Sequence, residues 1–284
     1  MTRRSRRRRA RLVGLCSLLA LAAGCGAGGD PAEPGQRGAP LDPARVEAPL
    51  SESEAAVEGL RVEVLERRRH PAELYTQGLV LDAGRLFESA GRYGASSLVE
   101  LSPGGGVLRR VEAPREVFAE GLALVDGRLV QLTWKEGRAF VYDRDTFGLL
   151  GEHRYEGEGW GLCYDGRRLV MSDGASRLQF RDPDSFELLG AVEVTVAGSP
   201  LALLNELECV AGAVYANVWQ SERIVRIDPA SGRVTADIDA AGLLDRAAHP
   251  NAEVLNGLAY DPADQTFLVT GKLWPELLRV RFVP

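Results

Sequence analysis

A repeated pair of short strand-like segments dominates the sequence from about residue 75 onward. The segment TQGLVLDAGRLFESAG reads as two strands joined by a tight turn. Similar pairs follow it as AEGLALVDGRLVQLT, GWGLCYDGRRLVMSDG, LNELECVAGAVYANVWQ and LNGLAYDPADQTFLVTG. Equivalent positions in the five copies are spaced 43, 40, 45 and 51 residues apart, at Gly78, Gly121, Gly161, Glu206 and Gly257. A repeat of this length favours a fold assembled from similar units placed side by side.

Each pair of strands is followed by a second pair, as SLVELSPGGGVLRRV follows the first copy. Four short strands per repeat predict an all-β, five-bladed β-propeller over residues 59–284, with one sheet per repeat. The last repeat ends in a single strand, LLRVRFV, and the N-terminal segment GLRVEVLERR at 59–68 is predicted to complete that blade. This closure would remove the open sheet edges on which other chains could pair.

The first 58 residues lack the repeat. Residues 1–24 hold seven arginines and then the apolar run LVGLCSLLALAAG. That run is shorter than the ~20 residues of a membrane-spanning helix and is typical of an export signal. The junction LAAGC resembles a lipoprotein processing site that would leave Cys25 lipidated, although its leucine lies one position early, and an ordinary cleaved signal is the alternative. We predict a flexible linker at 25–58 and a location in the cell envelope, either periplasmic or membrane-anchored.

The net charge and the positions of the histidines limit which partners and cofactors the protein is expected to bind. The whole chain carries a net charge of −6, and loss of residues 1–24, with seven arginines and no acidic residue, would bring it to −13. Such an acidic domain is a poor candidate for nucleic-acid binding. The histidines at 70, 153 and 249 do not form a metal-ligand set, so no metal or other cofactor is expected, although a structural cation in the channel is left open. A monomer is expected.

The predicted domain contains two cysteines, Cys163 and Cys209, both in apolar runs. An exported protein permits a disulfide between them. Two buried thiols are nevertheless the expected state, and no CxxC spacing is present.

Polar and aromatic residues recur at one end of the predicted hairpins. In an antiparallel blade, the loop that enters the first strand and the loop that leaves the second lie on the same face. The sequence therefore predicts a pocket at one mouth of the central channel, with indole walls and a few convergent polar groups. The residues predicted to line it are Gln77, Glu88, Glu120, Trp134, Lys135, Trp160, Asn205, Asn217, Trp219, Lys272 and Trp274. Each of them alone could instead pack between blades or bond loop backbone.

Motifs in every repeat carry a family resemblance. They are TQGL with FESAGRYGASS, FAEGL with QLTWKEG, EGWGL with MSDG, LNELE with YANVWQ, and NGLAYD with VTGKLWP. Together they span about Glu73 to Trp274 and resemble the plant-type and bacterial glutaminyl cyclases, also called glutamine cyclotransferases. The resemblance implies a five-bladed propeller and an aminoacyltransferase-type enzyme. Such an enzyme converts the N-terminal glutamine of a peptide or protein to pyroglutamate and releases ammonia.

The implied reaction needs a proton carrier. The substrate's α-amine, with an ordinary pKa of about 7.7–8.0, must lose a proton, and the amide nitrogen must gain one before ammonia leaves. The resemblance places the catalytic glutamate at Glu88, in the FESAG motif, and we predict that this carboxyl group carries both protons.

The remaining predicted residues would bind the substrate. Gln77 and Glu120 would hold its amine or carboxamide, and Trp134 and Trp160 would enclose its side chain. Donors available for the oxyanion are Lys135, Lys272, Asn205, Asn217 and the indole N–H groups.

Two other functions are compatible with this pattern. One is a non-catalytic propeller that binds a peptide or saccharide at the channel mouth. The other is a calcium-dependent, lactonase-like propeller enzyme, whose motifs this sequence matches poorly. Ammonia release from a peptide that begins with glutamine would separate both from a cyclotransferase.

Overall fold

A computed structural model describes residues 56–284, which form strands and no helix. No helix in this part of the chain could therefore cross a membrane. Strand β1 (Glu58–Arg69) precedes the repeats. The strands of the first three repeats are β2 (Thr76–Asp82), β3 (Arg85–Ala90), β4 (Ser97–Leu101), β5 (Val107–Glu112), β6 (Ala119–Val125), β7 (Arg128–Thr133), β8 (Arg138–Asp143), β9 (Leu149–Arg154), β10 (Leu162–Tyr164), β11 (Leu169–Met171), β12 (Arg177–Arg181) and β13 (Leu188–Glu193). The others are β14 (Thr195–Val196), β15 (Ser199–Pro200), β16 (Leu204–Val210), β17 (Ala213–Val218), β18 (Arg223–Ile227), β19 (Val234–Asp239), β20 (Leu255–Asp261), β21 (Thr266–Gly271) and β22 (Glu276–Val283).

The strands form small antiparallel sheets in chain order. Strands β2 to β5, β6 to β9 and β10 to β13 each make a four-stranded sheet, and β14 and β15 form a separate hairpin. An eight-stranded sheet has the order β16-β17-β18-β19-β1-β22-β21-β20. In it, β1 lies parallel to β19 and antiparallel to β22, so it completes a four-stranded group with the last three strands. The predicted pairing of segment 59–68 with the C-terminal strand is confirmed.

The first strands of the five groups contact one another in a cycle. Strand β2 contacts β6 and β20, β10 contacts β6 and β16, and β16 contacts β20. Glycine permits the close approach at the start of these strands. A Cβ on Gly121 would lie 2.5 Å from the backbone nitrogen of Leu162, and one on Gly161 would lie 2.0 Å from the carbonyl oxygen of Asn205. The repeated glycines are therefore close-packing positions.

Apolar side chains fill the spaces between neighbouring groups. The described part of the chain has five separate buried clusters, and each takes its residues from two adjacent groups of strands. The cluster between the first two groups, for example, packs Phe87 and Leu98 against Leu122 and Phe140. Burial of these side chains holds the groups face to face and fixes the positions of the strand ends near the centre.

Cys163 and Cys209 form a disulfide, with their Cα atoms 5.5 Å apart, so the expectation of two buried thiols is wrong. The two residues lie 46 positions apart in the sequence. They become neighbours because β10 and β16, the first strands of adjacent groups, contact each other. Apolar flanking sequence gave no signal of this contact.

Three predicted features lie outside the described residues. These are the export signal at 1–24, the lipidated Cys25 and the linker up to residue 55. The last few linker positions are described, and β1 begins at Glu58, one residue before the predicted domain boundary.

Candidate active site

A cavity of about 240 Å³ lies where the first strands begin. It is lined by Tyr75, Gln77, Phe118, Glu120, Trp134, Trp160, Asn205, Trp219 and Lys272. Its volume is below the ~300–1,000 Å³ that is usual for small-molecule sites, so it suits a single side chain rather than a large ligand.

Seven of the eleven residues predicted for the pocket meet in this cavity, namely Gln77, Glu120, Trp134, Trp160, Asn205, Trp219 and Lys272. Sequence reasoning missed Tyr75 and Phe118, which come immediately before β2 and before Ala119 of β6. Their positions just ahead of the TQGL and AEGL motifs were the available signal.

Backbone irregularities aim the polar side chains at the centre. The pairing of the first and second strands shifts between Thr76 and Gly78, and it shifts again between Ala119 and Leu122 and between Leu204 and Leu207. Such bulges redirect side chains and are common beside active sites. The residues at the three irregularities include Gln77, Glu120 and Asn205.

A carboxylate bridges two of the aromatic walls. The indole nitrogens of Trp134 and Trp160 both donate to Glu158 Oε2, at 2.7 and 3.0 Å. Trp160 also meets Trp219 edge to face, with ring centroids 5.4 Å apart. Glu158, which the sequence analysis did not identify, therefore fixes the spacing of two walls.

A hydrogen-bonded chain orients the polar floor. Asn256 Nδ2 lies 3.3 Å from Gln77 Oε1, and Gln77 Nε2 donates to Glu120 Oε1 at 2.9 Å. Because Asn256 donates to its oxygen, the Gln77 amide must turn its N–H groups toward the carboxyl of Glu120. The buried Asn205 Oδ1 has no hydrogen-bond partner among residues 56–284, which leaves it free to accept one from a ligand.

Burial shifts the pKa values of the two opposite charges of the cavity toward each other. The pKa of the Glu120 carboxyl is raised well above its usual range by burial and by Glu158 and Glu136, and among residues 56–284 only Lys272 opposes the rise. The pKa of Lys272 is lowered, mainly by burial, although Glu120 and Glu253 counteract this. A carboxyl group of this kind is suited to moving protons.

Glu88, the predicted catalytic residue, does not line the cavity. Its side chain is fully buried, with Oε2 2.8 Å from His70 Nε2 and Oε1 2.8 Å from Thr76 Oγ1. Glu88 lies on β3, the second strand of its group, and its partners lie between this group and the last one rather than at the centre. The prediction that its carboxyl group reaches the pocket is wrong.

Three predicted substrate-binding residues also lie outside the cavity. Lys135 extends over the Trp134 ring, with its Nζ 3.8 Å from the ring centroid, and is half-exposed at the rim. Asn217 is buried and accepts a hydrogen bond from the Gly257 nitrogen at 3.0 Å. Trp274 is buried in an apolar cluster and donates to a backbone carbonyl at 2.8 Å. Both buried side chains therefore serve packing and backbone bonding.

Comparisons with known proteins agree on one family. The family model described as glutamine cyclotransferase matches residues 41–282. A glutaminyl-peptide cyclotransferase from Arabidopsis thaliana is 37% identical over 227 residues, which cover 78% of this chain and 71% of that protein. The crystal structure of a Myxococcus xanthus glutaminyl cyclase superposes with a TM-score of 0.75 at 41% identity, covering 80% of this chain and 98% of that one.

Proposed function

Because the chain belongs to the glutamine cyclotransferase family, we propose that it is a glutaminyl-peptide cyclotransferase. It would convert the N-terminal glutamine of a peptide or protein to pyroglutamate and release ammonia. In this reaction the γ-acyl group passes from the amide nitrogen to the α-amine, which makes the enzyme an acyltransferase. The observation that carries the proposal is a single-residue cavity in which a buried glutamate meets an amide, a lysine and three indoles.

We interpret the five groups of four strands as the blades of a five-bladed propeller, with β1 as the outer strand of the last blade. The cyclic contacts among the first strands and the five apolar clusters between adjacent groups support this interpretation. On this interpretation, the cavity lies at one mouth of the central channel.

Substrate binding would use the indole walls of the cavity and the side-chain amide of Asn205. The methylene groups of the glutamine side chain would pack against Trp134, Trp160 and Trp219, whose faces suit apolar atoms. The carboxamide N–H would donate to Asn205 Oδ1, which lacks another partner among the described residues. The small volume would restrict entry to the first residue of a peptide.

The chemistry would begin when the α-amine attacks the side-chain amide carbon. Both groups belong to one residue, so the enzyme's first task is to hold a folded conformation. Glu120, which lines the cavity, would accept the proton that the amine loses as the new C–N bond forms. Lys272 would donate a hydrogen bond to the oxygen that becomes negative.

Glu120 would then return its proton to the departing nitrogen. The C–N bond of the former amide breaks, the carbonyl re-forms, and ammonia leaves with the proton that the amine released. The raised pKa of the Glu120 carboxyl favours this second step, because a proton carrier works best when its pKa lies near the operating pH, and an ordinary carboxyl pKa lies well below it. We therefore assign the proton carrier to Glu120 in place of Glu88.

Glu120→Gln tests this assignment directly. The amide can keep the hydrogen bond with Gln77 after rotation but cannot shuttle protons, so kcat should fall by about 10²–10⁴. Ammonia release from a peptide that begins with glutamine is the measurement, and Glu152→Gln, in an exposed position of the same sheet, is the control. Peptide binding without ammonia release by the wild type would favour the non-catalytic alternative.

We also propose that the protein is exported and anchored to a membrane through a lipid on Cys25. The LAAGC junction after the arginine-rich apolar segment motivates this, and the family match begins beyond it, at residue 41. Cys25→Ser should move the protein from the membrane fraction to the soluble fraction. Unchanged membrane attachment of that variant would refute the anchor.

A further inference from the structure

We propose that Glu88, His70 and Thr76 form a buried clamp that fixes the positions of Gln77 and Lys272 in the cavity. The inference rests on the proposed function, because it assigns positioning residues to that reaction. All three clamp side chains are at most 5% exposed, and none lines the cavity. They act through the two residues that do.

Glu88 joins two segments that flank the cavity. Its Oε1 accepts a hydrogen bond from Thr76 Oγ1 at 2.8 Å, and Thr76 immediately precedes Gln77. Its Oε2 lies 2.8 Å from His70 Nε2, on the segment between β1 and β2. The carboxyl group thus ties the start of β2 to the chain that leads into it.

His70 connects Glu88 to the turn that carries Lys272. Its Nδ1 lies 2.7 Å from the carbonyl oxygen of Trp274, and its backbone N–H donates to the carbonyl of Pro275 at 2.8 Å. These carbonyls follow Lys272 by two and three residues. The turn that presents Lys272 is therefore fixed on its C-terminal side.

Thr76 reaches the other side of the same turn. Its single hydroxyl hydrogen, which points mainly to Glu88, is shared at a longer 3.2 Å with the carbonyl oxygen of Gly271, the residue before Lys272. Its own carbonyl accepts from Asn256 Nδ2 at 3.0 Å, the amide that also orients Gln77. One buried hydrogen-bond network therefore fixes the positions of Gln77 and Lys272, the two residues that interact with the Glu120 carboxyl.

The bonding capacity of His70 shows which substitution the clamp can tolerate. A carbonyl oxygen can only accept, so Nδ1 must carry a hydrogen. The pKa of His70 is lowered by burial but raised more by Glu88 and by its hydrogen bonds, so the net shift is upward. With glutamine at position 88, a neutral His70 could accept from the amide Nε2, while the amide oxygen still accepts from Thr76. Methionine at position 88 offers neither bond.

Steady-state kinetics of three variants and one control test the clamp. Glu88→Gln should retain most of the wild-type kcat, because every hydrogen bond has a replacement. Glu88→Met and Thr76→Val should lower kcat by about 10²-fold with little change in KM, because the indole walls stay while the reacting groups shift. Their kcat/KM profiles should also move to higher pH, because a displaced Lys272 would lower the Glu120 pKa less, while Glu136 and Glu158 still raise it.

Gln131→Met is the matched control. Gln131 is buried on the second strand of the next group and donates to Ser89 Oγ at 2.8 Å, with no bond to a cavity residue. Its loss should lower thermal stability while leaving kcat and the pH profile unchanged. A fall in kcat that merely follows stability would appear in this variant too and would overturn the clamp.

Other outcomes are equally decisive. A loss of about 10²–10⁴ in kcat for Glu88→Gln would mean that Glu88 itself carries protons. Wild-type kcat in Thr76→Val would overturn the clamp even if Glu88→Met fails to fold. Crystal structures of Thr76→Val and Glu88→Gln report the position of Lys272 Nζ independently of turnover, and an unmoved Lys272 in Thr76→Val contradicts the inference. If the wild type released no ammonia, only the proposed function would be refuted. The position of Lys272 in the crystal structures of the variants would still test the clamp.

Discussion

The proposed chemistry depends at the residue scale on one buried carboxyl group and one buried amine. Glu120 and Lys272 are each 5% exposed, so water screens their interaction poorly. Burial disfavours the charged form of both, while each favours the charged form of the other. The pKa of Glu120 therefore reflects a balance in which Lys272 is the one described charge that favours the ionised carboxylate.

Lys272→Met should move the acid limb of the kcat/KM profile to higher pH. Glu120 must be ionised to accept the amine proton, and loss of the lysine charge raises its pKa further, so a higher pH is needed to ionise it. The substrate amine titrates identically in all variants. Lys135→Met removes a half-exposed lysine at the rim and should leave the limb in place. A limb at lower pH in Lys272→Met would contradict this balance.

At the scale of single elements, irregular first strands build the cavity. A regular strand would alternate its side chains between the two faces of its sheet. The register shifts near Gln77, Glu120 and Asn205 break this alternation at the strand ends that face the centre. Contacts between neighbouring first strands also bring Cys163 of β10 close enough to Cys209 of β16 to form the disulfide.

Replacement of both Cys163 and Cys209 by alanine should destabilise the fold. In the loop-closure model, a cross-link between residues 46 positions apart lowers the conformational entropy of the unfolded chain. This raises the free energy of unfolding by about 4 kcal/mol. Urea unfolding should therefore show a lower midpoint, and a reductant should lower the midpoint of the wild type but not of the variant. Equal midpoints for the two proteins would mean that the bond contributes nothing measurable.

At the scale of the whole molecule, β1 joins the two ends of the repeat series. It pairs with β19 on one side and with β22 on the other, so both strands lose a partner without it. Unpaired edges expose backbone groups that recruit other chains.

Deletion of residues 58–69 should therefore abolish cooperative unfolding and cause aggregation, as measured by circular dichroism and gel filtration. Deletion of residues 28–39, within the predicted linker, is the control and should change neither. A monomeric, cooperatively folded protein without β1 would show that the remaining strands close the ring unaided.

The sequence by itself determined the repeat, the all-β class, the pairing of segment 59–68 with the C-terminus and the family. These follow from periodic local patterns, in which each segment carries its own strand and turn signals. It also identified most of the cavity residues, because equivalent positions of repeats converge.

Only the tertiary structure decided the exceptions. Glu88 and Gln77 lie at the same end of one hairpin. The Glu88 side chain nevertheless points between two groups of strands, whereas the Gln77 side chain points into the central cavity. The difference comes from a register shift and from contacts with His70, which precedes the first repeat and belongs to none of the pocket motifs. The disulfide likewise depends on which first strands touch. Side-chain direction at strand ends and contacts between repeats arise from packing, and no single segment encodes them.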